Sequence, residues 1–420
     1  MALSLQHTTP IQISKVTQSV FNLNKSINKF DNHLQRKVLL LGGSGSVGRQ
    51  AFELCIEHQD KFKIKTIISG KNTLETIKQG IVSKPQYIVM SDKESADIVI
   101  KALREHRIET KVLYGVNSQK EVISYGYNIA ITAIPGIQGV DLTFEAIKYS
   151  DLVAFANKET IIYAGELMIE YAKLYNTIII PIDSEHNAIF QILDGIEEKK
   201  FRKIILTASG GPLLNKTFKE MKDASVSDIL NHPTWKMGKK ITVDSATLFN
   251  KALEVIEASY LFGTSLDEID VIIHPQSIVH GMIQMNDGSL LMHASAPDMK
   301  LPISYALSWP YQNNFHKAMD LTAIGNLTFI KPDYDKFPMF KLAIDSAKDS
   351  IISRIIMNYA NEVAVNMFLE KKIKFFQIYQ VVEFAVSSSI QKSFNNKDLF
   401  KELYNICYAV DSIIRGKFEV

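Results

Sequence analysis

The stretch KVLLLGGSGSVGRQAFELCIEH, residues 37–58, decides the fold. Val38 to Leu41 read as a buried strand, because a short apolar run bounded by glycines suits a covered sheet. Val47, Ala51, Leu54, Cys55 and His58 then recur at helical spacing. Between strand and helix, GGSGSVG fits G-x-G-x-x-G through Gly43, Gly45 and Gly48. Glycines at these places let the backbone turn tightly and approach a pyrophosphate resting on the N-terminus of the following helix. Alone the pattern is weak, and a plain structural turn is the alternative. The strand before it and the amphipathic helix after it supply the specificity.

Outward from this unit, FKIKTIISG reads as a second strand, and apolar runs alternate with helical stretches to about Ile182. That rhythm predicts a parallel sheet with helices on both faces. NAD-preferring folds place an acidic residue at the end of the second strand to bond the ribose hydroxyls. Lys61 to Asn72 holds none; Gly70 leaves room, Lys71 brings positive charge and Asn72 offers hydrogen bonds. A 2′-phosphate suits that corner, so NADP is expected, against the blander reading of a helix-capping loop with a solvated lysine.

The sheet's last strand is expected in TIIIPIDSEHNAIFQ, residues 177–191. Its β-branched run suits a covered strand, and residues two apart on a strand point the same way, so Asp183 and Glu185 are expected to converge. Two like charges at one point call for a cation or a proton. Later, TASGGP places Ser209 after a strand, where a hydroxyl and exposed amides can hold an anion, or simply make a turn. IDVIIHPQSIVHGMI is another strand-like run ending in a polar loop.

The densest stretch is HPTWKMGKKITVDSATLFNKALEVIEA, residues 232–258. A long helix is expected from Asp244 to Phe262, with Asp244 or Ser245 as its cap and Ser245 near anion-favouring amides. Asn250, Lys251 and Glu254 fall on neighbouring parts of one face, opposite a core-like stripe of Leu248, Ala252, Leu253, Val255 and Ile256. Lys251 and Glu254 read either as a solvated pair or as partners of Asp183 and Glu185 in one cleft. HPTWKMGKK reads as a loop able to close over an anionic substrate, although His232 and Trp235 also suit ordinary packing.

Bulk properties exclude several classes. A chain of 420 residues is too long for one core, so two or three domains are expected. A net charge of +2 gives no global attraction to nucleic acid, so any phosphate site must be local. The two cysteines, Cys55 and Cys407, show no metal spacing and fit a reducing compartment. No apolar run approaches the ~18 residues a membrane span needs. Residues 1–36 are rich in Ser, Thr, Asn and Gln with one acidic residue, Asp31, and read as a floppy extension or a targeting leader. After Pro338 there is no proline and one glycine, Gly416, which predicts a helical bundle.

GGSGSVG, ANKET, PIDSEHNAIFQ, SGGP, HPTWKMGKKITVDSATLFNKALEVIE, HPQSIVHGMI and NYANEVAV occur in the order found in the 1-deoxy-D-xylulose 5-phosphate reductoisomerase family, which the chain closely resembles from about Lys37 onward. The resemblance implies NADPH-dependent conversion of 1-deoxy-D-xylulose 5-phosphate to 2-C-methyl-D-erythritol 4-phosphate with Mg²⁺ or Mn²⁺. This is the committed step of the non-mevalonate isoprenoid pathway. It implies an α/β architecture: a flexible leader at 1–36, an N-terminal Rossmann-type NADP-binding domain at 37–182, a central α/β catalytic domain at 183–310, a linker at 311–337 and a C-terminal α-helical bundle at 338–420.

The resemblance also implies the site. Asp183, Glu185 and Glu254 are the expected metal ligands, an oxygen set suited to a hard cation. Lys158 and Ser184 are expected at the substrate hydroxyls, and Ser209, Ser245, Asn250 and Lys251 at its phosphate. His232 and Trp235 belong to the closing loop, and His274 to the edge of the site. Lys158, Glu185 and His232 are the expected catalytic residues. Gly43, Ser44, Gly45, Ser46, Val47, Gly70, Lys71, Asn72, Asn157, Glu159 and Gly238 are expected at the cofactor. The family's nucleotide loop usually reads G-S-T-G-S-I-G, so Gly43 and Ser44 are departures. A homodimer, no nucleic-acid or membrane partner, and a bacterial cytoplasmic location are expected, with a plastid-type organelle as the alternative if the leader targets.

Two rival readings compete with this one. A semialdehyde dehydrogenase needs a nucleophilic cysteine, and neither Cys55 nor Cys407 is well placed. A catalytically silent NADP-binding regulator on the same scaffold is favoured only if one of Asp183, Glu185 or Glu254 is lost, and all three are present.

Overall fold

The computed structural model describes residues 34–196, 201–235, 237–388, 390 and 399–418. The expected leader therefore lies, up to residue 33, outside the described residues, as does Lys236 of the closing loop.

The apolar runs read above form strands β1 (Arg36–Leu41), β2 (Phe62–Ile68), β3 (Tyr87–Met90), β4 (Lys111–Tyr114), β5 (Tyr127–Thr132), β6 (Ser150–Phe155) and β7 (Ile178–Pro181). Helices α1 (Ser46–Glu57), α2 (Thr73–Ser83), α3 (Lys93–Glu105), α4 (Gly115–Ile123), α5 (Gln138–Tyr149) and α6 (Lys158–Leu174) alternate with them. All seven strands are parallel in the order β4-β3-β2-β1-β5-β6-β7. Val38 to Leu41 are buried and register with Ile129 to Thr132 across β1 and β5. Burial on both faces explains why these strands read as continuous apolar runs rather than as alternations.

The strand order reverses between β1 and β5, and a sheet of this kind binds its ligand outside the carboxyl ends at that point. The glycine loop follows β1 there.

A second layer begins with α7 (Ser184–Asp194) and β8 (Phe201–Ala208), followed by the short helices α8 (Phe218–Lys222) and α9 (Val226–Leu230). Next come α10 (Lys239–Ala246), α11 (Phe249–Phe262), β9 (Ile269–Ile273), β10 (Val279–Met285), β11 (Leu290–Ala294) and α12 (Lys300–Ser308). The four strands form a mixed sheet in the order β11-β10-β8-β9, with only the β8–β9 pair parallel. IDVIIHPQSIVHGMI is thus two strands of one sheet, broken at the turn of residues 274–278.

The expected helix from Asp244 to Phe262 is in fact two. Leu248 adopts a left-handed conformation (φ 59°) and separates α10 from α11. Asp244 and Ser245 therefore lie in the last turn of α10 and cap nothing. A leucine in this region carries a steric cost, which its burial among core neighbours offsets.

The stretch 311–337 holds the short helix α13 (Leu321–Ile324), and Ile330 bridges to Ile273 of β9. Helices α14 (Pro338–Asp349), α15 (Ile351–Leu369), α16 (Gln377–Val386) and α17 (Leu399–Phe418) follow, as the lack of proline and glycine predicts. Among the described residues no helix is long and apolar enough to cross a membrane.

Candidate active site

Asp183 and Glu185 do converge, but not because they alternate along a strand. β7 ends at Pro181; Asp183 is the N-cap of α7 and Glu185 lies in its first turn. The Asp183 Oδ1 accepts from the backbone amides of Glu185 (3.2 Å) and His186 (3.4 Å). Capping therefore fixes the first carboxylate, and the helical turn swings the second beside it.

From the facing helix α11 comes Glu254, and carboxylate oxygens of Asp183, Glu185 and Glu254 lie within 4.8 Å of one another. Two ammonium groups occupy the space between them. Lys158 Nζ, at the N-terminus of α6, is 2.6 Å from Asp183 and 3.3 Å from Glu254. Lys251 Nζ is 3.2 Å from Glu185 and also pairs with Glu254, while the Asn250 amide donates to Glu254. Lys251 and Glu254 are 4% and 1% exposed, so the solvated-pair reading fails: α11 is buried almost all round.

Sequence reasoning missed two members of this cluster. Glu257, one turn beyond Glu254 and 2% exposed, lies 3.5 Å from Lys158 Nζ. His186 is buried and its Nε2 donates to the Glu254 carbonyl at 2.8 Å, which leaves Nδ1 facing Asp183 and Glu257. The only available signal was spacing: Glu254 and Glu257, like Asp183 and His186, stand three apart.

Burial dominates the electrostatics. It pushes the Glu185 carboxyl up to about 8, helped by the neighbouring Glu254 charge. It pushes Glu257 up to about 8 as well. Burial is the largest single influence on Asp183 and acts in the same direction, but its positive neighbours, Lys158 first and Lys251 among them, together with the Lys158 hydrogen bond, outweigh it and hold that carboxylate well below the usual range. Lys158 would be lowered by burial, yet Asp183, Glu254 and Glu257 together hold it firmly as ammonium. Burial lowers His186 and keeps it neutral.

The charges then test whether a metal fits. Four carboxylates, Asp183, Glu185, Glu254 and Glu257, face two ammonium groups, Lys158 and Lys251. Ionising all four would leave two negative charges uncompensated, so the cluster needs either protons, as the raised Glu185 and Glu257 show, or a divalent cation in their place, and the all-oxygen set suits a hard one.

Farther along the cleft is a polar corner. Ser209 follows β8, Ser245 stands in α10, and His232 lies between them with Nε2 at 3.1 Å from Ser209 Oγ and 3.5 Å from Ser245 Oγ. The His232 Nδ1 faces the backbone amides of Thr234 (3.2 Å) and Trp235 (2.9 Å). Backbone amides only donate, so Nδ1 is the bare nitrogen and Nε2 carries the proton. Burial lowers His232, which keeps this neutral tautomer. Ser209 Oγ also accepts from the Gly211 amide at 3.2 Å, which frees its own proton for a ligand. Trp235 packs edge-on against His280.

One cleft joins these groups. Lys158, Asp183, Ser184, Glu185, Ser209, His232, Trp235, Gly238, Ser245, Asn250, Lys251 and Glu254 line it, and Ser46 and Val47 of the glycine loop reach its other end. Gln50, Met237 and Met299 also line it; the first two lie inside the glycine-loop stretch and the closing-loop motif without having been singled out there, and Met299 lies in neither. His274 does not; its Nδ1 donates to the Thr328 carbonyl at 2.8 Å and its ring stacks on Phe329, tying the 311–337 stretch to β9.

At the nucleotide end the geometry suits a dinucleotide. Gly45 is the N-cap of α1 without a side-chain bond, so the first amides of the helix stay free. A Cβ at Gly48 would stand 2.1 Å from the Gly42 carbonyl oxygen, so only glycine lets helix and loop meet there. Where the family usually carries serine, a Cβ at Gly43 would meet Ile67 and Gln79, and the Gln79 amide donates to the Gly43 carbonyl at 2.8 Å.

Gly70, Lys71 and Asn72 are exposed at the carboxyl end of β2, beside β1. Asn72 does cap α2, accepting from the Glu75 amide at 3.2 Å. Asn157 caps α6 and its amide donates to the Ile134 carbonyl at 2.6 Å, so it holds the loop after β5 in place. Glu159 is buried in the same turn. Both cysteines are buried, which pushes their thiols up to about 12 and removes the nucleophile a semialdehyde dehydrogenase needs.

Comparison with known proteins agrees with this geometry. Three family signatures match: 1-deoxy-D-xylulose 5-phosphate reductoisomerase at residues 38–165, its C-terminal domain at 179–262, and the DXP reductoisomerase C-terminal domain at 294–414. The chain is 43% identical to 1-deoxy-D-xylulose 5-phosphate reductoisomerase of Clostridium acetobutylicum, over 84% of this chain and 92% of the relative. It is 40% identical to that of a Sulfurihydrogenibium species, over 91% and 98%. Among solved structures, DOX-P reductoisomerase in complex with NADPH, fosmidomycin and magnesium is similar at a TM-score of 0.86 and 33% identity, covering 92% of this chain and 98% of that one. The Zymomonas mobilis enzyme in complex with NADPH is similar at 0.82 and 32%, covering 92% and 100%.

Proposed function

The chain belongs to the 1-deoxy-D-xylulose 5-phosphate reductoisomerase family, and on that premise we propose a division of labour for its cleft. The enzyme uses NADPH and magnesium to rearrange and reduce 1-deoxy-D-xylulose 5-phosphate to 2-C-methyl-D-erythritol 4-phosphate, the committed step of the non-mevalonate isoprenoid pathway. The observation that carries the division is the convergence of Asp183, Glu185 and Glu254 in the cleft that also holds the Ser209–His232–Ser245 corner and the glycine loop.

Asp183, Glu185 and Glu254 hold the metal, and the glycine loop with Gly70, Lys71 and Asn72 holds the dinucleotide. When bound, magnesium stabilises negative charge developing on the sugar's oxygens and NADPH supplies the hydride. Ser209 and Ser245 hold the phosphate with their hydroxyls, and His232 adds the Nε2 proton as a neutral donor. Its role is thus positioning at the phosphate, away from the reacting carbons. Asn250 and Lys251 bridge the phosphate corner and the acidic cluster. Ser184 Oγ, which donates to Glu185 at 2.5 Å, and Lys158 Nζ face the substrate hydroxyls. Lys158, held as ammonium, hands a proton to a substrate oxygen, and Glu185 is its partner in proton movement. Trp235 closes over the substrate with its loop and excludes water.

The same proposal covers organisation. The 37–182 stretch is the dinucleotide domain, 183–310 the catalytic one, 311–337 the linker and 338–420 the helical one. β11, the open edge of the mixed sheet, exposes Leu290, Leu291 and Met292 at 43%, 39% and 50%, which supports a homodimer formed there with a second copy. The location is the cytoplasm of a bacterial-type cell.

The test is oxidation of NADPH by the purified protein given 1-deoxy-D-xylulose 5-phosphate. Oxidation that needs both substrate and Mg²⁺ and stops with chelator is expected. Oxidation that continues in chelator would remove the metal assignment. A chain that binds NADPH but never oxidises it would revive the silent regulator.

A further inference from the structure

One motif remains without a role in the cleft: NYANEVAV on α15, whose Asn361 is fully buried. Its Nδ2 donates to Asp244 Oδ1 at 2.7 Å, across 117 positions of sequence. The Asp244 Oδ2 accepts from Lys240 Nζ at 2.8 Å, one turn earlier on α10. A carboxylate can only accept here, so the Asn361 amide is oriented without ambiguity. Asp244 is 2% exposed and stands immediately before Ser245, the α10 hydroxyl of the phosphate corner. On the other side of the same turn, Gly211 (φ 67°) brings the loop after β8 against α10. A Cβ there would stand 2.8 Å from the Ser245 carbonyl oxygen.

The end of α10 is therefore clamped from two sides, by the loop that carries Ser209 and by α15. The clamp fixes how far Ser245 stands from Ser209, which is the width of the phosphate corner. Lys240 also faces Glu159 and Glu362, so the clamp reaches the first turn of α6 and the helix that carries Asn361.

We propose that Asn361 and Asp244 form a positioning pair by which the C-terminal helices set the phosphate corner of the cleft. This rests on the reading of Ser209, His232 and Ser245 as the phosphate site. Neither residue touches substrate; each acts through the placement of Ser245. A short polar tie to a buried carboxylate is strong enough for this, because leaving Asp244 half-satisfied is costly.

The experiment uses the full-length enzyme with Mg²⁺ and NADPH and compares Asn361→Leu, Ser245→Ala and the exchange Asp244→Asn with Asn361→Asp. For Asn361→Leu we expect the substrate KM and the inhibition constant of inorganic phosphate to rise about tenfold together, as loss of one charge-assisted hydrogen bond implies, with kcat and the NADPH Kd little changed. The exchange variant restores a donor–acceptor pair and should recover most of the phosphate affinity, which simple destabilisation would not do. Phosphate inhibition unchanged in Asn361→Leu but weakened in Ser245→Ala would overturn the positioning pair alone. Phosphate inhibition untouched by Ser245→Ala would overturn the phosphate corner beneath it. If Asn361→Leu does not fold, the exchange variant decides: phosphate affinity near that of the natural protein supports the pair, and a tenfold loss refutes it.

Discussion

The two ends of the cleft are built by opposite means. At the acidic end, four carboxylates and two ammonium groups, nearly all withdrawn from water, do the holding, and each is a separate side chain. At the nucleotide end the groups on offer are backbone amides of a loop and of the first turn of α1, and side chains there matter mainly by being absent. The first kind of site fails when one functional group is exchanged for another of the same shape. The second tolerates changes of chemistry and fails when a carbon atom is added.

The largest expected effect comes from attacking the acidic end with an isosteric change. Glu254→Gln removes one charge and keeps the volume, so kcat should drop by about a thousandfold or more while NADPH affinity stays within a factor of two. Comparable loss of NADPH affinity in fluorescence titration would show that the two ends are not separate. At the other end, Gly48→Val adds atoms where a Cβ alone would stand 2.1 Å from backbone. NADPH affinity should fall about a hundredfold, and Mn²⁺ binding measured by paramagnetic relaxation should survive.

Lys71→Ala should be milder. On the proposed placement its exposed ammonium favours the 2′-phosphate, so the ratio of kcat/KM for NADPH over NADH should shrink about tenfold. An unchanged ratio would leave Asn72 and Lys71 as no more than a helix cap and a solvated side chain.

The smallest effect is on stability, and it should be confined to the acidic end. Burial raises Glu257 from 4.5 to about 8, so the folded protein binds more protons than the unfolded one between those values. Its contribution is therefore full below pH 4.5 and is lost as pH rises through 8. In chelator, the urea midpoint should fall between pH 6 and pH 8, and Glu257→Gln should flatten that slope. A slope unaffected by the substitution would mean that the cluster does not hold the proton there.

This contrast also explains what could be read before the fold was known. The glycine loop, the β-α rhythm and the proline-free helical end rest on local periods and local backbone sterics, and these are written in consecutive residues. The acidic pair was legible for a reason that proved incomplete. Asp183 and Glu185 do share one point, yet a helix cap and turn bring them there. The strand ends at Pro181, before either residue.

Leu248 hid the break between α10 and α11, because a leucine gives no warning of a left-handed backbone and only tertiary packing holds it. Glu257, His186 and Asn361 stayed invisible as participants for a similar reason. Burial turns an ordinary helical side chain into part of a network, and burial of a polar residue has no local signature.

Asp183 and Glu185 present their carboxylates at the amino end of a helix, where the backbone dipoles project partial positive charge and two of the first amides already donate to Asp183. A cation drawn there by the acids is also pushed back by the peptide dipoles, and the Lys158 and Lys251 ammonium groups contend for the same oxygens. A metal held there would have to displace those contacts, so its affinity would be weaker than the carboxylates alone would give.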